Sequence, residues 1–428
     1  MTGAPAPPRL LTIMGSGETS PTMIKTHREL LARLGPPPVP AVLLDTPFGF
    51  QGNATDIAER AVEYFRESVG APISVASFRS AAAGLADTLA YETMLSSLRS
   101  ARYIFAGPGS PSYALRQWAE SSVPEILASK LRDGGCVCFA SAAALTLGLA
   151  TVPVYEVYKV GEDPRWLTGL DLMAAVGLRV AVIPHYDNAE GGNHDTRYCY
   201  LGESRLARLE DELPDDVFVL GVDEHTGLIL DLDAQIGTVV GRGGVTVRKS
   251  GRSSVVPNGS TVAVADLIAM ASDTSVPTST SALAAPDQAP REFEPAPEST
   301  PLLEAIAEHQ ANFDKAIAAG DAAGAARSVL ELDDELLAWS RDTQESDEMD
   351  RGRAALRGMI VRLGQLAEVG ARDPREVVGP FIDAMLDARA AARAEKRWAD
   401  ADSLRDRLVE LGVEVNDSPE GTTWRLLS

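Results

Sequence analysis

The sequence predicts an α/β protein with a doubly wound, mostly parallel sheet and an antiparallel edge meander, followed by a linker and a C-terminal helical bundle. Up to about residue 264, short apolar runs alternate with helical patterns, whereas helical periodicity dominates beyond residue 300. This change of pattern separates an α/β region from a helical one. The 428 residues, 45% of them hydrophobic, are enough for two or three domains with sizeable cores.

The α/β region is predicted from apolar segments of strand length that are separated by helical patterns. These segments cover residues 10–14, 41–45, 73–77, 103–106, 137–140 and 178–184. Such alternation is typical of parallel strands joined by crossover helices. Further short segments, separated by tight Gly and Asp turns, predict an antiparallel meander that completes the sheet, at residues 218–222, 228–232, 235–240, 245–248 and 253–256. We therefore expect one domain over residues 1–270.

The rest of the chain changes composition twice. Residues 271–300 are rich in Ser, Thr, Ala and Pro, which predicts a disordered linker because such a segment buries little apolar surface. Beyond it we expect a helical region over residues 301–370 and a final domain over residues 371–428. The predicted helices cover residues 301–320, 322–340, 345–369 and 374–411, and residues 413–425 alternate like a hairpin.

Charge and cysteine content limit the function classes. The formal charge of −22 opposes nonspecific binding to nucleic acid or to anionic membranes. No apolar run is long enough for a membrane span, and no basic segment precedes the first apolar run, so we expect a cytoplasmic protein without membrane contact. Cys136, Cys138 and Cys199 are too few and too poorly spaced for a disulfide framework or a four-ligand zinc site. No metal or cofactor is predicted.

Ser141 lies where a predicted strand meets an alanine-rich helix. A hydroxyl at such a turn projects from the carboxyl edge of a sheet and is typical of a serine nucleophile. The usual motif at such a turn has glycine two residues before and two residues after the serine, where this chain has Phe139 and Ala143. A Phe side chain at that place is expected to close the pocket, to reorient the turn or to define a different substrate.

His185 is the best candidate for the general base. It follows the predicted strand 178–184, which brings its imidazole to the same sheet edge as Ser141. Serine hydrolysis needs a base beside the hydroxyl and a third group that orients the base. A buried structural histidine is the alternative interpretation.

Together these residues resemble the serine peptidases that include dipeptidase E and cyanophycinase, which have the class I glutamine amidotransferase-like fold. The resemblance spans about residues 10–265. Its motifs are Gly107-Pro108-Gly109-Ser110, the Ser141 junction, Pro184-His185-Tyr186, Thr196-Arg197 and Arg205-Leu206. It implies Ser141 as nucleophile, His185 as general base and Glu156 as the acidic third member. Asp171 competes with Glu156 for that place.

The same resemblance implies how a substrate is held. The N–H of Ala142 would form the oxyanion hole with Gly109 or Gly107, since Pro108 has no N–H. Arg197 matches an arginine that recognises an acidic group beside the scissile bond, and a surface ion pair with Asp195 or Glu203 is the alternative.

Two further residues are predicted to contact the substrate. Ser110 belongs to the glycine loop, and Asn188 begins a polar, glycine-rich segment that follows His185. We expect this segment to line the peptidase pocket.

The tail carries a second resemblance, to the carboxyl-terminal end of cysteinyl-tRNA synthetases. It covers residues 381–425 and is carried by the run 391–408 and by Asp417-Ser418-Pro419-Glu420-Gly421-Thr422-Thr423-Trp424. The catalytic motifs of that enzyme class are missing, so we expect no aminoacylation. The resemblance implies a tRNA contact, whereas the interspersed acidic residues favour a protein partner or self-association.

The leading hypothesis is a cytoplasmic serine hydrolase that cleaves a small peptide or amide, with a helical tail for a protein partner or tRNA. Two other hypotheses remain open: a noncatalytic ligand- or partner-binding protein on the same fold, and a tRNA-linked hydrolase.

Overall fold

The computed structural model describes residues 7–190, 194–272, 300–342, 348–370, 374–418 and 421–427. The chain forms two compact units. One comprises residues 1–305 and 334–350, and the other comprises residues 306–333 and 351–428. Most of the predicted linker, residues 273–299, lies outside the described residues.

The predicted fold class is confirmed: α/β elements fill the first part of the chain and helices fill most of the second. The strands are β1 (Arg9–Met14), β2 (Ala41–Leu44), β3 (Ser74–Ala76), β4 (Tyr103–Ala106), β5 (Gly135–Ala140), β6 (Ala150–Thr151), β7 (Leu167–Thr168), β8 (Val180–Ile183), β9 (Phe218–Val222), β10 (Thr226–Asp231), β11 (Ile236–Gly241), β12 (Val245–Lys249), β13 (Arg252–Val256), β14 (Thr261–Ala263), β15 (Val413–Ser418) and β16 (Gly421–Leu426).

The helices, apart from single turns of 3₁₀ or π type, are α1 (Ile24–Arg33), α2 (Ala54–Glu63), α3 (Ala81–Ala86), α4 (Thr88–Ser100), α5 (Pro111–Trp118), α6 (Val123–Asp133), α7 (Ser141–Leu145), α8 (Gly202–Asp211), α9 (Val264–Ala271), α10 (Pro301–Ala318), α11 (Ala322–Trp339), α12 (Glu348–Gly370), α13 (Pro374–Ala394) and α14 (Trp398–Glu410).

The larger sheet has the order β14-β11-β10-β1-β5-β4-β2-β3. Strands β1, β5, β4, β2 and β3 pair in parallel, and β10, β11 and β14 extend the sheet with antiparallel pairs. The carboxyl ends of β1, β4 and β5 therefore meet at one edge, where the ligands of open α/β sheets usually bind.

A second sheet has the order β13-β12-β9-β8-β6-β7. The predicted meander is thus divided: β10 and β11 join the first sheet, whereas β9, β12 and β13 join the second. Within the second sheet β9 runs parallel to β8, with Ile183 opposite Gly221. Helix α8 connects these two strands, as a parallel pair requires. The loops after β8 and β9 therefore leave the sheet at the same edge.

Strand β5 is buried along its whole length, and its side chains alternate between two apolar clusters. Cys136, Cys138 and Ala140 face one cluster, whereas Val137 and Phe139 face the other. The Phe139 ring lies 6.0 Å from the Trp118 ring, centroid to centroid. The expectation that the Phe139 side chain closes the pocket is wrong, because that side chain is buried in the core.

The C-terminal segment predicted as one helix over residues 374–411 is two helices, α13 and α14. The break falls at residues 395–397, where Lys396 has a φ of +61°. Strands β15 and β16 form the predicted hairpin. Ile382, Leu408, Val413 and Val415 form a small core between the hairpin and the two helices. None of the helices described by the structure is long and apolar enough to cross a membrane.

Candidate active site

Ser141 occupies a tight turn between β5 and α7. The preceding residue, Ala140, has extended backbone angles, whereas Ser141 has a φ of +48°. A non-glycine residue in this region is strained by about 1–3 kcal/mol, and such residues cluster at functional sites. The turn projects the hydroxyl away from the sheet, as expected for a nucleophile at a strand-to-helix junction.

His185 meets the serine hydroxyl directly. Its Nε2 lies 2.9 Å from Ser141 Oγ. His185 follows β8, from which it is separated by Pro184. Its backbone also has a positive φ, of +48°, and the residue is 7% exposed. The backbone carbonyl of His185 accepts a hydrogen bond from the Cys199 N–H, which fixes this turn. The structure therefore brings the two residues singled out in the sequence into hydrogen-bond contact.

Glu224 completes the arrangement on the far side of the imidazole. Its Oε1 lies 2.7 Å from His185 Nδ1 and also accepts a hydrogen bond from Asn188 Nδ2 at 3.0 Å. Because a carboxylate accepts, Nδ1 carries the proton and Nε2 is free to accept from the Ser141 hydroxyl. The Glu224 N–H in turn donates to Asp187 Oδ1 at 2.7 Å.

Glu156, predicted from the resemblance to orient His185, is not on the imidazole. It accepts a hydrogen bond from the Ser112 hydroxyl at 2.5 Å, and its second oxygen is buried without a partner among the described residues. Asp171, the competing candidate, begins a 3₁₀ turn with a φ of +51°. Both lie before His185 in the chain, whereas Glu224 reaches His185 from the end of β9. Of these three carboxylates, Glu224 is the one that is hydrogen-bonded to His185.

The chain topology explains why Glu224 was missed. The short segments and tight turns of residues 218–256 predict an antiparallel meander, in which the end of β9 would lie at the opposite edge of the sheet from the end of β8. Leu206 and Leu209 are spaced as on the buried face of a helix, and both are fully buried in α8. A helix between two strands indicates a parallel pair, so this spacing was the available signal.

The electrostatics of the site favour a paired imidazole and carboxylate. Burial lowers the pKa of His185, but the hydrogen bond and charge of Glu224, together with the charges of Glu18 and Glu190, raise it above its usual value. Burial raises the pKa of Glu224, yet its bonds to His185 and Asn188 hold it below the usual value. Glu18 lies beside Gly107 of the glycine loop, and its burial raises its pKa to about 7.

The glycine loop lies close to the Ser141 turn. The Gly107 carbonyl accepts a hydrogen bond from the Ala143 N–H at 3.2 Å. Gly109 has a φ of +132°, and a Cβ there would lie 2.1 Å from the Pro47 carbonyl oxygen, so no larger residue fits. Both Gly109 and Ala142 line the cavity next to Ser141. Both residues of the predicted oxyanion hole therefore border the cavity.

Each predicted substrate-binding residue is hydrogen-bonded within the protein. Arg197 forms a double hydrogen bond with Asp195, with Nε–Oδ1 and Nη2–Oδ2 distances of 2.8 Å. Ser110 caps α5 by accepting the Tyr113 N–H, and the fully buried Asn188 supports Glu224. Of the alternatives for Arg197, the structure contains the ion pair with Asp195.

The cavity beside Ser141 has a volume of about 180 Å³ and is also lined by His185, Tyr155, Tyr158 and Tyr200. A larger open groove of about 650 Å³ lies between α2 and β3. Its lining includes none of Ser141, His185 and Glu224. The smaller cavity is therefore the candidate active site.

Comparison with known proteins gives a specific match for the tail. Residues 378–425 match the family model of the cysteinyl-tRNA ligase anticodon binding domain, which confirms the resemblance of the tail. Cysteine–tRNA ligase from Shewanella baltica is 61% identical over 44 residues, which are 10% of this chain and 10% of the ligase. The ligase from Marinobacter nauticus is 40% identical over 91 residues, or 19% of each chain. The chain thus matches only about a fifth or less of these relatives.

Solved structures similar to the chain include two described as peptidases. A peptidase from an acI-B1 actinobacterium is 18% identical, with a TM-score of 0.48, covering 60% of this chain and 97% of that one. A protein from Listeria monocytogenes EGD-e, provisionally assigned as peptidase E, is 10% identical, with a TM-score of 0.35, covering 58% of this chain and 98% of that one.

Proposed function

We propose that the α/β part of this protein is a serine hydrolase that cleaves a small peptide or amide through Ser141, His185 and Glu224. The observation that carries the proposal is the continuous hydrogen-bonded series, 2.9 Å from Ser141 Oγ to His185 Nε2 and 2.7 Å from His185 Nδ1 to Glu224 Oε1. A nucleophile, a base and an orienting carboxylate in this order are the parts that acyl transfer needs.

The reaction follows from these contacts. His185 Nε2 takes the hydroxyl proton while Ser141 Oγ attacks the carbonyl carbon, and Glu224 stabilises the imidazolium that forms. The N–H groups of Ala142 and Gly109 would hold the negative oxygen of the tetrahedral intermediate. His185 then gives its proton to the leaving nitrogen, which leaves an acyl ester on Ser141. A water molecule, deprotonated by His185, releases the acid and restores the serine.

A fluorophosphonate probe tests whether Ser141 is a nucleophile. We expect stoichiometric labelling of Ser141, located by peptide mass spectrometry, and no labelling of the Ser141→Ala protein. Ser112, bonded to Glu156, and Ser20, buried 3.3 Å from His225 Nδ1, are internal controls that we expect to stay unlabelled. Folded protein without a label on Ser141 would leave the noncatalytic binding protein as the better hypothesis.

A second function, tRNA binding by the tail, is favoured by the family match over residues 378–425. Phe381 and Trp398 are 73% and 58% exposed, and exposed aromatic rings can stack on unpaired bases. This stretch has ten acidic and seven basic residues, and Asp417 is ion-paired with both Arg389 and Arg393. A protein partner or self-association is the other interpretation of the tail.

Binding of the full chain to tRNA distinguishes these interpretations. If two phosphates are contacted, affinity falls about tenfold between about 50 mM and about 200 mM salt. At a given salt concentration, Arg405→Glu should bind tRNA more weakly than the wild type does, whereas Arg9→Glu in the α/β part should bind it equally well. Absence of binding to any tRNA at low salt would reject this function and leave a tRNA-linked hydrolase without support.

We also propose that the protein acts in a reducing compartment such as the cytoplasm. All three cysteines are buried free thiols, and burial raises the pKa of Cys136 and Cys199 to about 12. Such thiols are typical of proteins that need no disulfides.

A further inference from the structure

The cavity beside Ser141 has the dimensions of a pocket for one side chain. Its volume of about 180 Å³ is below the range of about 300–1,000 Å³ that is typical of pockets for larger ligands. Ser141 and His185 lie in its wall, so a bound group would be adjacent to the bond that the serine attacks.

The lining is mainly apolar and aromatic. Leu145 and Val154 contribute aliphatic surface, and Tyr155, Tyr158 and Tyr200 contribute rings. The rings of Tyr158 and Tyr200 lie 4.8 Å apart, centroid to centroid, which fixes them against each other. Such a lining stabilises an uncharged side chain by burying its apolar surface.

Arg197, the residue that the family resemblance implies for binding an acidic substrate, is already ion-paired within the protein. Both Oδ atoms of Asp195 are bonded to Arg197, and Asp195 also accepts the N–H groups of Arg197 and Glu203. The two hydrogen bonds from the Arg197 guanidinium lower the pKa of Asp195 to about 2, so both side chains stay ionised at neutral pH. Arg197 does not line the cavity.

Carboxylates lie directly behind the lining. Tyr200 donates its hydroxyl to Glu190 Oε2 at 2.6 Å, and His185 is bonded to Glu224. Among the described residues, Lys159 is the Lys or Arg of the lining; its side chain is exposed to solvent, and its Nζ lies 5.1 Å from the Tyr158 ring centroid. An acidic side chain in the cavity would therefore meet negative charge on two sides and only a solvent-screened ammonium in return.

We propose that this cavity selects an uncharged apolar or aromatic side chain next to the scissile bond and disfavours an acidic one. The inference rests on the proposed serine hydrolase function. It identifies Tyr158 and Tyr200 as specificity-determining residues and gives the Arg197–Asp195 pair a structural role in place of substrate recognition.

The test compares three diphenyl phosphonates that carry a leucine, a phenylalanine or an aspartate side chain. Each modifies an active serine, and the rate of Ser141 modification is followed by mass spectrometry of the intact full-length protein. We expect the leucine and phenylalanine reagents to react at least tenfold faster than the aspartate reagent. An aspartate reagent that reacts as fast as the others would overturn the proposed selectivity.

Two variants separate charge from folding. Asp195→Asn keeps only one of the two oxygens that accept the backbone N–H groups of Arg197 and Glu203, and it leaves the charge of Arg197 uncompensated two residues from Cys199 in the lining. The disadvantage of the aspartate reagent should therefore shrink several-fold. Asp233→Asn, which breaks a comparable ion pair with Arg9 outside the cavity lining, should leave the ratio of rates unchanged. An equal response of both variants would contradict the role assigned to the Arg197–Asp195 pair.

A fluorophosphonate without a side chain distinguishes failure of this inference from failure of the proposed function. If it labels Ser141 while the aspartate phosphonate reacts as fast as the others, only the selectivity is rejected. If neither the fluorophosphonate nor any phosphonate labels the folded protein, the hydrolase function is rejected, and the selectivity with it.

Discussion

Replacing Ser141 with alanine is expected to reduce peptide or amide hydrolysis by at least about 10³-fold, because no other hydroxyl is bonded to His185 in the described part of the chain. His185→Gln should cost a similar factor, since the serine would keep its proton. The two changes disable one unit, so the double variant should be hardly worse than either single variant. Hydrolysis of short amide and ester substrates by purified full-length proteins measures these effects.

Ser112→Ala provides the matched control for the serine variant. Ser112 also contacts a carboxylate, that of Glu156, but it has no hydrogen bond to a histidine among the described residues. Its loss should change the rate by less than about tenfold. Ser141→Ala protein that folds normally by circular dichroism and keeps full activity would eliminate the mechanism.

Much of the fold could be predicted because strands and helices leave periodic signals in the sequence. Strands such as β1, β4 and β5 were predicted within one or two residues of their observed bounds. The division of the meander between two sheets could not be predicted, since strand periodicity does not specify a partner. The sequence also does not predict the break at Lys396, because the neighbours of this residue have strong helix propensity.

The sequence likewise predicts some residues of the candidate site but not others. Ser141 and His185 each follow a predicted strand, so the sequence alone placed them at one sheet edge, and the structure brings them within 2.9 Å. Glu224 depends on the direction of β9, which is set by the crossover through α8. The sequence predicts the pairing of Arg197 with Asp195 only as one of two alternatives, since an arginine near an aspartate can bind either that aspartate or a ligand.

Glu224→Gln is expected to lower the turnover rate by about 10³- to 10⁴-fold, the loss typical when the orienting carboxylate of a triad is replaced by an amide. The Gln side chain keeps the size of Glu224, but its amide N–H can donate to His185 Nδ1. The imidazole would then carry its proton on Nε2, where it can no longer accept from Ser141. Steady-state kinetics of wild type and variant measure the loss.

Glu156→Gln is the matched control because Glu156 is the acidic residue that the family resemblance places in the same role. Its contact is the Ser112 hydroxyl, which a Gln oxygen can also accept. We expect a change of less than about tenfold. A large loss in Glu156→Gln with near-normal rates in Glu224→Gln would reverse the assignment.

The pH profile supplies a readout that damage to folding would not imitate. Wild-type activity needs neutral His185, so it falls as the pH drops through the pKa of His185, which burial lowers but Glu224 and neighbouring acids raise above the usual value. Glu224→Gln removes a negative charge beside the imidazole, so that pKa should fall. The acidic limb of kcat/KM should therefore move to lower pH while the maximum rate decreases. A limb that stays in place would show that Glu224 does not act on His185 during the reaction.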